Sequence, residues 1–299
     1  MSRQPTVRRA RPQDSAAAFD VFLAAIVDLT TRQGTPWQPD GETVRERLLP
    51  LYLRLGDHAA EWWVAEDADG GEIIGYARSV ERGGLFELTE FFVRPGSQSA
   101  GVGRELMVRA FPPERGQVRA IVATTDVRAQ ARYYAAGTVA RFPIAALSGA
   151  PRAEAAAELG LDAAPATGAD LPILDRLEAA VLEFPRGDEF LWLLEEREGW
   201  LFRREGTPVG FGFVGRAGSG PVAALDPDDQ VPILRHLEAR AAALAVAEWS
   251  LEVPMINEVA MRHLLGRGFR MDPFLTLLMS SRPFGQFDRF IGFAPPFIL

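Results

Sequence analysis

A chain of 299 residues, 47% apolar and 24% charged, is long enough for two domains of roughly 150 residues each and can bury a sizeable core. It has no cysteine, which excludes disulfides, thiolate zinc sites and a cysteine nucleophile, and every basic residue is arginine, which excludes a Walker-type loop and a Schiff-base lysine. The net charge of −8 argues against general nucleic-acid binding and fits a cationic small substrate, while the three separated histidines show no metal-ligand spacing.

No stretch approaches the roughly 18 unbroken apolar residues of a membrane span. The opening segment MSRQPTVRRARPQD lacks the apolar core of a secretory signal, so a cytoplasmic location is expected.

In chain order, residues 5–9 read as extended. Asp14 then stands as a helix cap before the alanine-rich run 16–29. Residues 31–41, TRQGTPWQPDG, are dense in breakers and read as a loop. Val44, Leu48, Leu51 and Leu55 share one helical face, which predicts a helix over 42–55. Residues 62–66 and 73–80 read as a hairpin, and 85–93 as a third strand rich in β-formers. A helix over 104–111, a strand over 118–124 and a helix over 127–136 follow. Residues 145–169, rich in Ala, Pro and Gly, read as an interdomain connection.

The second half repeats the first in shortened form. GFGF at 210–213 stands where GYAR stood at 75–78, and Pro227 to Gln230 echoes Pro95 to Gln98. WSLEVP at 249–254 matches VRAIVA at 118–123. Asp126, Ala129 and Gly137 are matched at identical offsets by Asn257, Ala260 and Gly268, so the ordered matches together indicate a tandem duplication.

The stretch FFVRPGSQSAGVGREL, residues 91–106, leads from a strand through glycines into a helix. Such a turn gathers free backbone N–H groups at the positive end of a helix and suits phosphate oxygens, although a bare strand–helix corner has the same sequence. A dinucleotide fingerprint fails because Leu106 stands where its third glycine would be. Gln98-Ser-Ala-Gly101-Val-Gly103 fits a different pattern, [Q/R]-x-x-G-x-[G/A]. With it come Asp126, Ala129, Tyr133 and Gly137 at offsets 0, +3, +7 and +11. On these two motifs the chain resembles the GNAT superfamily of acyl-CoA N-acyltransferases over roughly residues 5–145, with 166–299 resembling a second, degenerate copy.

The resemblance implies an α/β fold of two tandem domains, each a twisted, mixed, mostly antiparallel sheet flanked by helices. The domains are expected at 1–148 and 166–299, with 149–165 as linker. It implies acetyl transfer from acetyl-CoA to a primary amine of a small-molecule acceptor, by direct attack in a ternary complex and without a metal. The pyrophosphate is expected on Gln98, Ser99, Ala100, Gly101, Val102, Gly103 and Arg104, with Asp126 and Ala129 also at the cofactor. The backbone N–H near Phe92 or Val93 is expected to polarise the acyl carbonyl.

A free alkyl ammonium has a pKa of roughly 10 and must lose a proton before it attacks. Glu87 and Glu90, three apart on a strand, are expected to point to opposite faces, with Glu90 the candidate general base. Tyr133 holds the position of the proton donor to the leaving thiolate. Trp37 and Asp40 lie in the loop expected to meet the acceptor.

In the second copy the turn reads DPDDQVP, without glycine, and Leu264 replaces the tyrosine, so that copy is expected to be catalytically silent. A non-catalytic acyl-CoA-binding sensor is the alternative reading. Neither nucleic acid nor membrane is expected as a partner, and the chain is expected to be a monomer or homodimer.

Overall fold

The computed structural model describes residues 4–38, 40–68, 71–97, 101–153 and 160–293. They form two compact units: residues 1–139 with Met279–Arg282, and residues 140–278 with 283–299.

The first unit contains β1 (Thr6–Arg9), α1 (Ser15–Arg32), α2 (Gly41–Asp57), β2 (Glu61–Glu66), β3 (Ile73–Arg82), β4 (Leu85–Val93), α3 (Val102–Ala110), β5 (Val118–Thr124) and α4 (Val127–Ala135). The sheet order is β1-β2-β3-β4-β5, antiparallel throughout except for the parallel β4–β5 pair. On the edge of β5 away from β4, Ser281 donates its N–H to the Arg119 carbonyl at 2.9 Å and accepts the Arg119 N–H on Oγ at 3.0 Å. Helix α1 buries Ala18, Phe19, Val21, Phe22 and Leu29, the stripe that a 3.6-residue period places on one side.

Two features of β4 shape this unit. Its register against β3 shifts between Arg78↔Glu90 and Ser79↔Leu88, so Thr89 is an extra residue, a β-bulge. Its pairing with β5 covers only Leu85↔Val118, Phe86↔Arg119 and Glu87↔Ala120. Beyond the bulge the two parallel strands separate.

The bulge overturns the strand alternation expected from the sequence. Glu87 pairs with Val80 and Glu90 with Arg78, and those two β3 residues share a face. Glu87 and Glu90 therefore face the same side, because the extra residue between them flips the count.

The second unit contains β6 (Val139–Gly149) from Ala140 on, β7 (Asp162–Pro165), α5 (Leu171–Leu182), α6 (Glu189–Glu196), β8 (Glu198–Arg204), β9 (Thr207–Val214), β10 (Ser219–Ala224), α7 (Gln230–Ala243), β11 (Trp249–Pro254), α8 (Glu258–Gly266), β12 (Arg270–Met271), β13 (Thr276–Ser280) up to Leu278, and β14 (Phe290–Ile291). Strands run β14-β10-β9-β8-β7, and β6 pairs with β11 and β12. Residues 145–149, read from sequence as connection, are strand. Small residues with little intrinsic β-preference form it because β11 supplies a ladder from Trp249↔Gly149 to Pro254↔Ile144. The core gathers Ile233, Leu234 and Leu237 of α7, Leu251 and Val253 of β11, and Leu264 of α8.

The C-terminal segment enters this second unit as a wedge. β14 pairs with β10 through Val222↔Ile291 and Ala223↔Phe290, and Gly292 N–H donates to the Glu252 carbonyl of β11 at 3.1 Å. Phe290 and Ile291 are fully buried. A short strand thus lies between β10 and β11, the counterparts of β4 and β5.

Candidate active site

In the first unit the separation of β4 and β5 opens a cavity of about 320 Å³. Its strand walls are Leu88, Thr89, Phe91, Phe92 and Val93 on one side and Ile121, Val122 and Thr124 on the other. Ala25, Ile26, Leu29 and Arg32 of α1 form a further wall. Gly103 of α3 and Asp126, Arg128, Ala129, Arg132 and Tyr133 at the start and along α4 complete the lining.

Backbone directions follow from one hydrogen bond. Arg94 N–H donates to the Ile74 carbonyl at 2.7 Å, so the alternation along β4 turns the Phe92 amide toward β3 as well. The main-chain groups of Phe91 and Val93 then point toward β5, into the split. Of the two positions expected to present a donor to an acyl oxygen, the backbone of Val93 faces the cavity and that of Phe92 faces the sheet. The Phe92 side chain lines the cavity against Phe22, ring centroids 5.3 Å apart.

At the head of α3, Gly101 caps the helix with φ 78°, a left-handed conformation natural to glycine, and its Cβ direction meets nothing within 4 Å. Gly103 is needed for a different reason. A Cβ there would lie 3.3 Å from the Phe91 ring and 3.5 Å from Arg132 Nε, so a side chain would fill the gap between α3 and α4. The Arg104 and Glu105 amides donate to the Gly101 carbonyl at 3.0 and 3.2 Å, closing the first turn of the helix. Val102 is buried and Arg104 exposed. Arg94, next to the turn, is engaged by Glu72 at 2.9 Å. Gln98, Ser99 and Ala100 lie outside the described residues.

Tyr133 is buried at 5% exposure, lines the cavity and packs edge-on to Phe91, whereas Tyr134 is exposed. Burial, reinforced by the nearby Asp126 carboxylate, holds the Tyr133 phenol above its usual pKa and hence protonated.

Asp126 caps α4, accepting the Arg128 N–H at 2.8 Å, and it pairs with the guanidinium groups of Arg128 and Arg32, each at 3.1 Å. Burial pushes its carboxyl upward, but the Arg128 and Arg32 hydrogen bonds outweigh that and bring it down to about 2.

The structure does not bring Glu90 into the cavity. Its carboxylate is fully enclosed with Arg78, Nε to Oε2 at 2.6 Å, and accepts the Tyr76 hydroxyl at 3.0 Å. The Arg78 guanidinium lies over the Trp62 ring, 4.6 Å from its centroid, and donates to the Tyr52 carbonyl at 2.5 Å. Burial raises the Glu90 carboxyl, with the Arg78 charge opposing. A base needs access to a proton, and this carboxylate is enclosed by its ion pair with Arg78 and by Tyr76.

Trp37 and Asp40 also lie outside the cavity lining. Asp40 caps α2, accepting the Thr43 hydroxyl at 2.5 Å and the Glu42 N–H at 3.4 Å, while the Trp37 N–H donates to Thr30 Oγ1 at 3.1 Å.

Arg128 and Arg132 were legible as an i, i+4 pair on the helix that Asp126 opens. Arg32 was not, because it joins the cavity only through the packing of α1. Among the described residues no cluster of three or more His, Cys, Asp or Glu is placed to hold a metal.

Residues 58–137 match the family of the acetyltransferase (GNAT) domain. Over those residues the first unit is similar to a GNAT domain. The GNAT family transfers acyl groups from acyl-CoA thioesters.

The two-unit fold has solved relatives as well. A Pyrococcus horikoshii protein assigned to the acetyltransferases aligns with TM-score 0.72 at 16% identity, covering 96% of this chain and 92% of its own. A GCN5-related N-acetyltransferase from Sphaerobacter thermophilus gives 0.60 at 17%, covering 93% and 96%. A tandem GNAT protein from the clavulanic acid biosynthesis pathway gives 0.55 at 14%, covering 94% and 99%. At these identities the likeness is one of fold, shared over both units. No curated protein sequence matches the chain.

Proposed function

We propose that the first unit transfers the acetyl group of acetyl-CoA to a primary amine of a small-molecule acceptor. The observation that carries this reading is the split between β4 and β5, opened by the bulge at Thr89 and lined by Tyr133. The thioester arm lies in the split, and its pyrophosphate rests on the turn Gln98–Arg104 and the N-terminus of α3, beside Arg132. Gly103 keeps that approach free of a side chain.

The acyl oxygen accepts from the backbone at Val93, a fixed donor facing charge that grows as the amine attacks. Attack is direct, since a positioned amine needs no covalent enzyme intermediate. The C–S bond breaks, and Tyr133, protonated by its environment, gives its proton to the departing thiolate. Glu90 holds the bulged strand to β3 through Arg78, and the amine proton leaves by way of solvent. The second unit serves as a structural partner without an acyl-CoA site.

Thiol release from acetyl-CoA, followed across a panel of small amines, tests the assignment. Turnover with wild-type protein and its loss in Tyr133→Phe supports it. Saturable acetyl-CoA binding with no thiol release across the panel would instead make the domain a sensor.

A further inference from the structure

At the open end of the split, no ladder hydrogen bond joins β4 to β5 beyond Glu87 and Ala120. Two consecutive residues that close α1 reach instead to two consecutive residues that open α4. Arg32 Nη2 donates to Asp126 Oδ2 at 3.1 Å, and Gln33 Nε2 donates to Thr125 Oγ1 at 2.7 Å. Arg32 is also held from behind by Asp28, one turn earlier, at 2.8 Å. Arg32, Thr124, Asp126 and Arg128 all line the cavity, so these bonds lie at its rim.

Asp126 stands where the second copy has Asn257, which caps its own helix α8. Either residue caps a helix equally well, so capping alone gives no reason for a carboxylate. The charge acts most directly on the two arginines, each 3.1 Å away, and also reaches the Tyr133 phenol. We propose that Asp126 and Arg32 form a charge clasp between α1 and α4 that fixes the width of the open end of the cleft and so retains the thioester arm. Asp126 and Arg32 are then positioning residues, and the carboxylate is not a free cofactor ligand.

The inference rests on the acyl-CoA reading of the cavity, and two charge variants separate it from a simple electrostatic effect. A clasp is broken equally from either end. Asp126→Asn and Arg32→Gln should each raise the dissociation rate of acetyl-CoA about three- to five-fold, the range for a partly exposed ion pair. The double variant should add little to either single one, and Arg32→Lys, which keeps the charge, should return most of the effect. If the two residues acted only through their charges on an anionic ligand, the variants would move in opposite directions. Asp126→Asn would tighten binding and Arg32→Gln would weaken it, and that result overturns the clasp.

Hydrogen exchange on the protein without acetyl-CoA gives a second readout. Both single variants should speed exchange at 29–33 and 124–128, and unchanged protection there also overturns the proposal. Wild-type protein that binds no acetyl-CoA yet shows the exchange change would sink the acyl-CoA reading and leave the clasp standing as a structural bond.

Discussion

The two halves of the chain take the same strand pair to opposite ends. In the first unit β4 and β5 part after Glu87 and Ala120 and leave a cavity. In the second, β10 and β11 are likewise not paired directly, but β14 fills the space, bonded to β10 on one side and to the Glu252 carbonyl on the other. Even the residues of the degenerate motif are used for closure. Asn257, the counterpart of Asp126, donates to Gln230 Oε1 at 2.6 Å and to the Phe290 carbonyl, and Gln230 donates to the Asp288 carbonyl at 2.9 Å. One sequence pattern, repeated, leaves an open cavity in one copy and a filled core in the other. A split parallel pair leaves main-chain groups that need partners, and either a ligand or the chain itself can supply them.

The largest difference to probe is the buried ion pair between β3 and β4. Arg78 and Glu90 are fully buried in the first unit, while the repeat places Phe213 and Val222 at those positions in the second. Arg78→Ala strands a buried carboxylate and should cost about 3–5 kcal/mol in urea unfolding, whereas Arg78→Met with Glu90→Leu should recover much of the loss by imitating the apolar copy. Glu90→Gln sharpens the point kinetically. Its pH profile of kcat/KM should keep the wild-type shape, and the disappearance of an acid limb would make Glu90 the base after all.

In the second unit Phe290 is the centre of the wedge, packed against Phe287 and sealed from solvent. Phe290→Ala should cost roughly 3–4 kcal/mol of unfolding free energy, the range for emptying an aromatic core position. Titration calorimetry should still find one acetyl-CoA per chain, because DPDDQVP offers carboxylates and no glycine. A second equivalent on removing the aromatic ring would show that closure alone separates the copies.

Tyr133 against Leu264 is the chemical form of the same contrast. Tyr133→Phe should lower kcat about 10²-fold, near 2.7 kcal/mol, the lower end for loss of a proton donor. Because burial holds the phenol protonated, the wild-type rate should show no alkaline loss from this group up to about pH 10. A limb near pH 8 that vanishes in Tyr133→Phe would break the assignment.

How much of this was legible follows from what each residue depends on. Period and turn chemistry are local, so α1, the β2–β3 hairpin, β4, β5 and α4 follow from the sequence to within a few residues. Tyr133 and Ala129 reach the cavity because their spacing on one helix face is local too. The bulge is not local. It exists because β3 and β4 disagree by one residue, and it moved Glu87 and Glu90 onto one face. Glu90 was read as accessible because burial by Arg78, Tyr76 and Tyr52 comes from other elements. Asp40 was read as an acceptor contact, yet it is engaged as the cap of α2, a role its position before GETV could have announced. The wedge of β14 was the least legible, since two short residues of strand carry no periodicity and are set by partners more than 30 positions away.

Glu252 offers the gentlest test of the comparison. It occupies the position matched in the first unit by Ile121, a cavity wall, and its own carbonyl receives the wedge. Burial, with repulsion from Asp272 second, raises its carboxyl to about 7. A carboxyl whose folded pKa lies above its unfolded value favours the protonated fold, so stability is fullest at low pH and falls as pH rises from about 4.3 toward about 7. Glu252→Gln keeps the shape and removes the charge. It should raise stability by roughly 1–2 kcal/mol at pH 8 and change little at pH 5, read from melts at the two values. Equal effects at both would mean that Glu252 is solvated, and that the second slot is less tightly closed around β14 than its hydrogen bonds indicate.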